Sequence, residues 1–254
     1  MDKHTRIRLN NLAIRNFRDT ADLDYIHARL AFRHKLIPQF LWSSLQALEK
    51  YGKSMLLKNL IDGRKIRHEV LPSIQRFEQE MAVSLNLSED VLSFIKRLDA
   101  RARHRYLDVS DYSFNKDIVT LDRSVHQIRR FCQYFDNFHQ FDIDSKAKIK
   151  ELASMIESED RFEEIKPIRI RGGQLEKILG EKSHPARSAL IYNNPFFCTR
   201  RRKKIPIDLG GSCSYISQFE IEPDIIDIAR EYIFIDKGAF PKNCVTAYNP
   251  LTGE

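Results

Sequence analysis

The side chains best suited to chemistry are Arg97 and His104, at either end of the run RLDARARH with six residues between them, and Tyr106 two positions further on. Histidine titrates near neutrality, so it can take or give a proton at physiological pH. Arginine stays charged and can hold two phosphate oxygens at once. Together these types could cleave RNA without a metal. The histidine would move the 2′-OH proton, the arginine would meet the charge developing on the phosphoryl oxygens, and a cyclic phosphate and a 5′-OH would leave. The competing reading is plain: RLDARARHRY holds four arginines, and a basic helix end also complements its own carbonyl dipole. Tyr106 is either a modifiable hydroxyl or a ring packed on the helices.

Two further groups could bind an anionic substrate. Arg64 and His68 bracket the run Arg64-Lys65-Ile66-Arg67-His68 at a loop–helix junction. There a histidine can meet substrate, cap the helix or pair with a carboxylate. Arg200, Arg201, Arg202, Lys203 and Lys204 form five consecutive cations after Tyr192-Asn193-Asn194 and Phe196-Phe197. Cations beside aromatics suit a nucleic-acid backbone with stacked bases, a surface that positions but supplies no chemistry. A solvated loop is the alternative. Glu49, Lys50 and Lys53 share one helical stripe, lining a cleft or forming a solvated salt-bridge face.

The composition narrows the setting. Hydrophobic residues make up 42% of the 254, with 16 Phe and 9 Tyr, against 9 Gly and 9 Pro. That favours an ordered, helix-rich chain with a real core. A net charge of +7 points to an anionic partner such as RNA or another nucleic acid. Cys132, Cys198, Cys213 and Cys244 are too scattered for a zinc site or a disulfide framework, and read as free thiols. The expectation is no metal and no cofactor. No GxxxxGK[ST] or GxGxxG run supports nucleotide hydrolysis or dinucleotide binding. No apolar run suits a signal peptide or a membrane span, so a cytoplasmic protein without a membrane partner is expected.

The elements that must position these residues are mainly helical. Thr20 is placed to cap a helix from residue 21. Pro38 permits a fresh start, and residues 40–61 are strongly amphipathic up to a stop at Asp62-Gly63. Further helices are expected over 69–84 with Pro72 in the first turn, after a Ser88 cap, and over 116–138. Four or five such helices with short loops make an antiparallel bundle. The expected organisation is a lead-in over 1–20, a bundle over 21–140, a linker helix over 141–164, and a basic, smaller and mostly helical C-terminal region over 165–254. Whether that region packs on the bundle or stands apart is open at this level.

Residues 21–79 resemble the first half of a HEPN domain. That family shows a helix with A-x-E-K-x-x-K-A-L-L and then a His-acidic-Leu helix start. Here these read Ala47-Leu48-Glu49-Lys50, Lys53-Ser54-Met55-Leu56-Leu57 and His68-Glu69-Val70-Leu71. RHRYLDVSDYSF followed by LDRSVHQIRRFCQYF is similar to the end of such a domain, so the likeness spans residues 21–138. It implies a helical bundle and, for active members, a dimeric ribonuclease or toxin, often in antiviral defence. Such enzymes bear Arg, four to six residues, then His, sometimes extended by x-Tyr. Arg97, His104 and Tyr106 fit that pattern, without the polar Asn after the Arg. Other members are non-catalytic modules that bind nucleic acid or a protein partner.

Overall fold

The computed structural model describes residues 2–101, 111–133, 145–160, 170, 172–197, 212–215, 228, 229, 231 and 232. These residues are mainly helical, as the periodicity implies. α1 (Lys3–Leu12) runs through a π-helical turn (Ala13–Arg18) directly into α2 (Asp19–Arg33). The lead-in is therefore helix, and Thr20 is not a cap: its hydroxyl bonds back to the Asn16 carbonyl at 2.7 Å. α1 is capped instead by Asp2, which accepts from the Thr5 amide at 2.9 Å.

α3 (Ile37–Lys58) is the axis of the bundle, with Pro38 in its first turn and Phe40, Leu41, Leu45, Leu48, Tyr51 and Met55 buried along it. Its packing against α2 and α4 (Val70–Met81) gathers side chains spaced at three and four into one core. Gly52 allows a close approach of α3 to α4, since a Cβ there would lie 2.8 Å from Ser73 Cβ. α5 (Glu89–Arg101) and α6 (Asp117–Arg129, extended by a 3₁₀ turn over Arg130–Cys132) complete the core with Val91, Ile95, Leu121, Val125, Ile128 and Phe131. The hydroxyl of Ser88 makes no hydrogen bond, so the expected side-chain cap of α5 is not made.

Helix ends depart from expectation for one reason. α3 stops at Leu60, φ 57°, where the Ile61 amide donates to the Leu56 carbonyl at 2.9 Å. α2 stops the same way at Lys35, φ 58°, with Leu36 donating to Ala31 at 2.9 Å, and α4 stops at Ala82, φ 53°. These are Schellman-type stops without the glycine that usually marks them, so Asp62-Gly63 follows the end of α3 rather than making it.

The core runs across the expected domain boundary. α7 (Ser145–Asp160) buries Ile149, Ala153 and Ile156 in it. α8 (Gln174–Gly180) and α9 (Arg187–Ile191) add Leu175, Ile178, Ala189 and Leu190, followed by Phe196 and Phe197. Residues 170–197 thus pack on the bundle. The one sheet among the described residues pairs β1 (Asp111–Phe114) antiparallel with β2 (Ser212–Tyr215).

Two buried polar networks tie these late segments to the early helices. Asp22 of α2 accepts from Tyr51 at 2.6 Å, from Arg129 at 2.7 and 2.8 Å, and from the Gln174 and Leu175 amides at 3.1 and 3.3 Å. It therefore caps α8 while it neutralises Arg129. Glu176 takes the other side of that guanidinium at 2.8 and 2.7 Å. Burial opposes the Arg129 charge, but Asp22 and Glu176 more than offset it and hold it firmly protonated. In the second network Arg29 of α2 binds Asp122 of α6 and reaches the Ala189 and Tyr192 carbonyls. Tyr25 donates to Asp122 at 2.6 Å and accepts from Asn194 at 2.7 Å. Asn194 in turn accepts from the Phe196 and Phe197 amides.

Candidate functional site

The first candidate site is built on α3, the start of α4 and α5. Glu49 is buried on α3, and Lys53, one turn later, donates to its Oε1 at 2.5 Å. The loop leading into α4 brings His68 to the same oxygen, Nδ1 lying 3.3 Å away. A carboxylate only accepts, so Nδ1 carries the proton in this contact and the basic lone pair of a neutral ring sits on Nε2. The ring is 48% exposed while Glu49 is 5% exposed, an orienting acid below and a proton-transfer group above. The loop is held because Asp99 of α5 accepts from the Val70 and Leu71 amides at 2.7 and 2.9 Å, capping α4 from outside. Burial, with Glu69 and Glu49 close by, pushes the Asp99 carboxyl above its ordinary value, against those two amide bonds.

Of the cations around His68, Arg64 does not join it. Its guanidinium forks onto Asp62 at 3.0 and 2.8 Å, and the backbone amide donates there too. That pairing holds the Asp62 carboxyl well below the usual range. Lys65 and Arg67 are exposed on the same loop. Lys50 pairs with Asp24 at 2.5 Å, so the stripe of Glu49, Lys50 and Lys53 serves two separate contacts.

The second candidate site has another geometry than its spacing suggested. Arg97 donates to Asp117 Oδ2 at 2.5 Å. The same oxygen accepts from the Phe114 amide at 2.9 Å and the Ser113 hydroxyl at 3.1 Å. The guanidinium carbon lies 5.3 Å from the Phe94 and Tyr112 ring centres and 5.7 Å from that of Phe114. Arg97 is thus a fastener between α5, β1 and the start of α6. Asp117 takes one nitrogen of Arg97, so a phosphate there would compete with a carboxylate already in place. His104, Tyr106 and Arg200 to Lys204 lie outside the described residues. Sequence reasoning missed Asp117, whose link to Arg97 spans twenty positions; its position in the first turn of a helix after an aromatic strand was the available signal. Among the described residues, no group of three or more His, Cys, Asp and Glu is placed to share a metal ion. No helix among them is long and apolar enough to cross a membrane.

Compared with protein-family models, curated proteins and solved structures, the chain matches none. Its own geometry therefore carries the functional argument.

One consequence can be measured directly. Arg97→Ala is expected to lower the unfolding free energy by about 2–3 kcal/mol, because it strips a charge-assisted hydrogen bond from a buried carboxylate. Urea denaturation reads the loss, and a change below about 0.5 kcal/mol would show that the pair does not hold β1 to α6.

Proposed function

We propose that the chain is a HEPN-like module that binds RNA through the exposed loop over residues 64–68. The observation that carries this reading is the meeting of Glu49, Lys53 and His68. These are polar positions on which the family resemblance rests, and they converge although His68 lies nineteen residues from Glu49. Lys65 and Arg67 stand on the loop that this contact anchors, and the net charge of +7 supplies a favourable long-range field. The homodimer implied by the resemblance belongs to the same proposal, and sedimentation of the purified protein reads it.

The test is a salt titration of binding to a labelled RNA by full-length protein. Each phosphate contact contributes about 0.7 to the slope of log affinity against log salt for a single strand. Replacing Lys65 and Arg67 by serine is expected to flatten that slope by about 1.4. An unchanged slope, or no binding by the parent protein at low salt, overturns the reading.

A second reading, metal-independent cleavage, is favoured by one observation: His68 is half exposed and oriented by a buried carboxylate beside a lysine. That is the base–orienter arrangement required of a proton-transfer group. His68 Nε2 would take the 2′-OH proton as the 2′-oxygen bonds to phosphorus. The P–O5′ bond would break with the 5′-oxygen protonated from water, and Lys53 or Arg67 would meet the phosphoryl charge. Arg97 and His104 are the competing pair. Incubation of RNA with the protein in EDTA separates these cases. Cyclic-phosphate ends lost in His68→Asn support His68, loss only in His104→Ala supports the other pair, and intact RNA leaves binding alone.

A further inference from the structure

β1 departs from the burial pattern of the rest of the molecule. Ser113 is buried and its hydroxyl goes to Asp117, whereas its neighbours on the opposite face, Tyr112 and Phe114, are 42% and 38% exposed. Phe40, Phe77 and Phe131, by contrast, are 0% exposed in the core. Single exposed aromatics need no explanation. A pair at i and i+2 on one strand face, edge to face with ring centres 5.2 Å apart, is a built surface. Its cations are placed too. Arg97, locked by Asp117, lies 5.3 and 5.7 Å from the two ring centres. The exposed ammonium of Lys116 lies 5.5 Å from the centre of Phe114.

We propose that Tyr112 and Phe114, backed by Arg97 and flanked by Lys116, form a stacking platform for unpaired bases of single-stranded RNA. The proposal rests on the RNA-binding reading and names the form of RNA taken. An aromatic face accepts any base by stacking, and a cation beside it meets the attached phosphate, which gives affinity with little sequence preference. A duplex hides its base faces, so the platform discriminates by strandedness. Arg97 acts here as a positioning residue: its bond to Asp117 fixes where its charge sits, and that charge holds both rings. Chain order adds a second consideration. Arg103, His104 and Arg105 precede Asp111 by six to eight residues, and the run Arg200 to Lys204 precedes Ser212, the register partner of Phe114, by eight to twelve. Both strands of the sheet therefore follow a basic stretch of chain.

The experiment compares a labelled oligouridine with an RNA hairpin duplex, using the full chain. The double variant Tyr112→Ala with Phe114→Ala is expected to weaken oligouridine binding at least tenfold, the scale of one lost stacking contact. It should leave the duplex within about twofold. Phe114→Leu keeps apolar bulk but loses the ring, and should weaken single-strand binding severalfold. Tyr112→Phe should retain it. Equal melting temperatures establish that each variant is folded, and Phe114→Leu serves if the double variant is not. Unchanged oligouridine affinity in the ring variants, with loss in the loop variant Lys65→Ser/Arg67→Ser, overturns the platform and leaves the RNA-binding reading standing. Equal losses on single strand and duplex also overturn stacking. Absence of RNA binding by the parent protein ends both.

Discussion

Asp22→Ala is expected to lower the unfolding free energy by about 3–5 kcal/mol, the range for removing one partner of a buried ion pair. The carboxylate is fully buried and serves four groups at once: the Arg129 guanidinium, the Tyr51 hydroxyl, and the Gln174 and Leu175 amides. Alanine would leave Arg129 with Glu176 alone and remove the cap from α8. Asp22→Asn keeps the shape but has one acceptor oxygen, which can serve either Tyr51 or the two α8 amides and not both, so it should also be destabilising. The double change Asp22→Leu with Arg129→Met should recover part of the loss, because an apolar pair has no charge to desolvate. Urea denaturation of the four proteins tests the series. A loss below about 1 kcal/mol in Asp22→Ala would mean that water replaces the carboxylate and that the network is not what holds α8.

The second large effect is an acid sensitivity set by His126. This partly buried ring stacks on Phe196 at 4.7 Å, and burial, with Arg130 and Arg129 nearby, pushes its pKa down to about 3. The unfolded chain binds a proton there at about pH 6.5, and the folded chain does not until about pH 3. Between these values the unfolded state holds more protons, so stability present above pH 6.5 is lost as the pH falls. From pH 7.5 to 4.5 this one group should remove about 2.7 kcal/mol. His126→Phe, which retains a ring against Phe196, should show a drop smaller by that amount over the same interval. Equal drops in the two proteins would assign the acid sensitivity to the buried carboxylates instead.

These two effects depend on contacts that local reading does not reach. The course of α3 and α4 is legible because apolar residues recur at helical spacing and Pro38 and Pro72 mark first turns. α1 is not, since Lys3 to Leu12 carries no apolar stripe. Leu60, Lys35 and Ala82 hide helix ends because residues other than glycine rarely adopt the left-handed conformation. Glu49, Lys53 and His68 were visible as a motif, and one of the readings weighed for His68, a carboxylate partner, describes its contact with Glu49. Arg97 was visible as a charge, but its role depends on Asp117, and spacing to a histidine carries no information about an acid twenty positions later. The Asp22–Arg129–Glu176 and Arg29–Asp122 networks join positions 47 to 107 residues apart. No periodicity announces such pairs.

The span of the Asp22 network has a consequence for the order in which the molecule can be made. Asp22 leaves the ribosome well before its last hydrogen-bond donors, which lie 152 and 153 residues downstream, and Asn194 reaches Tyr25 across 169. At about 5–20 residues per second, the nascent helices wait on the order of ten seconds with their central charges still in water. The bundle therefore cannot finish closing helix by helix as it emerges. Its polar centre locks only when α8 and the Asn194 turn arrive, which makes the late segments the keystone of the early ones.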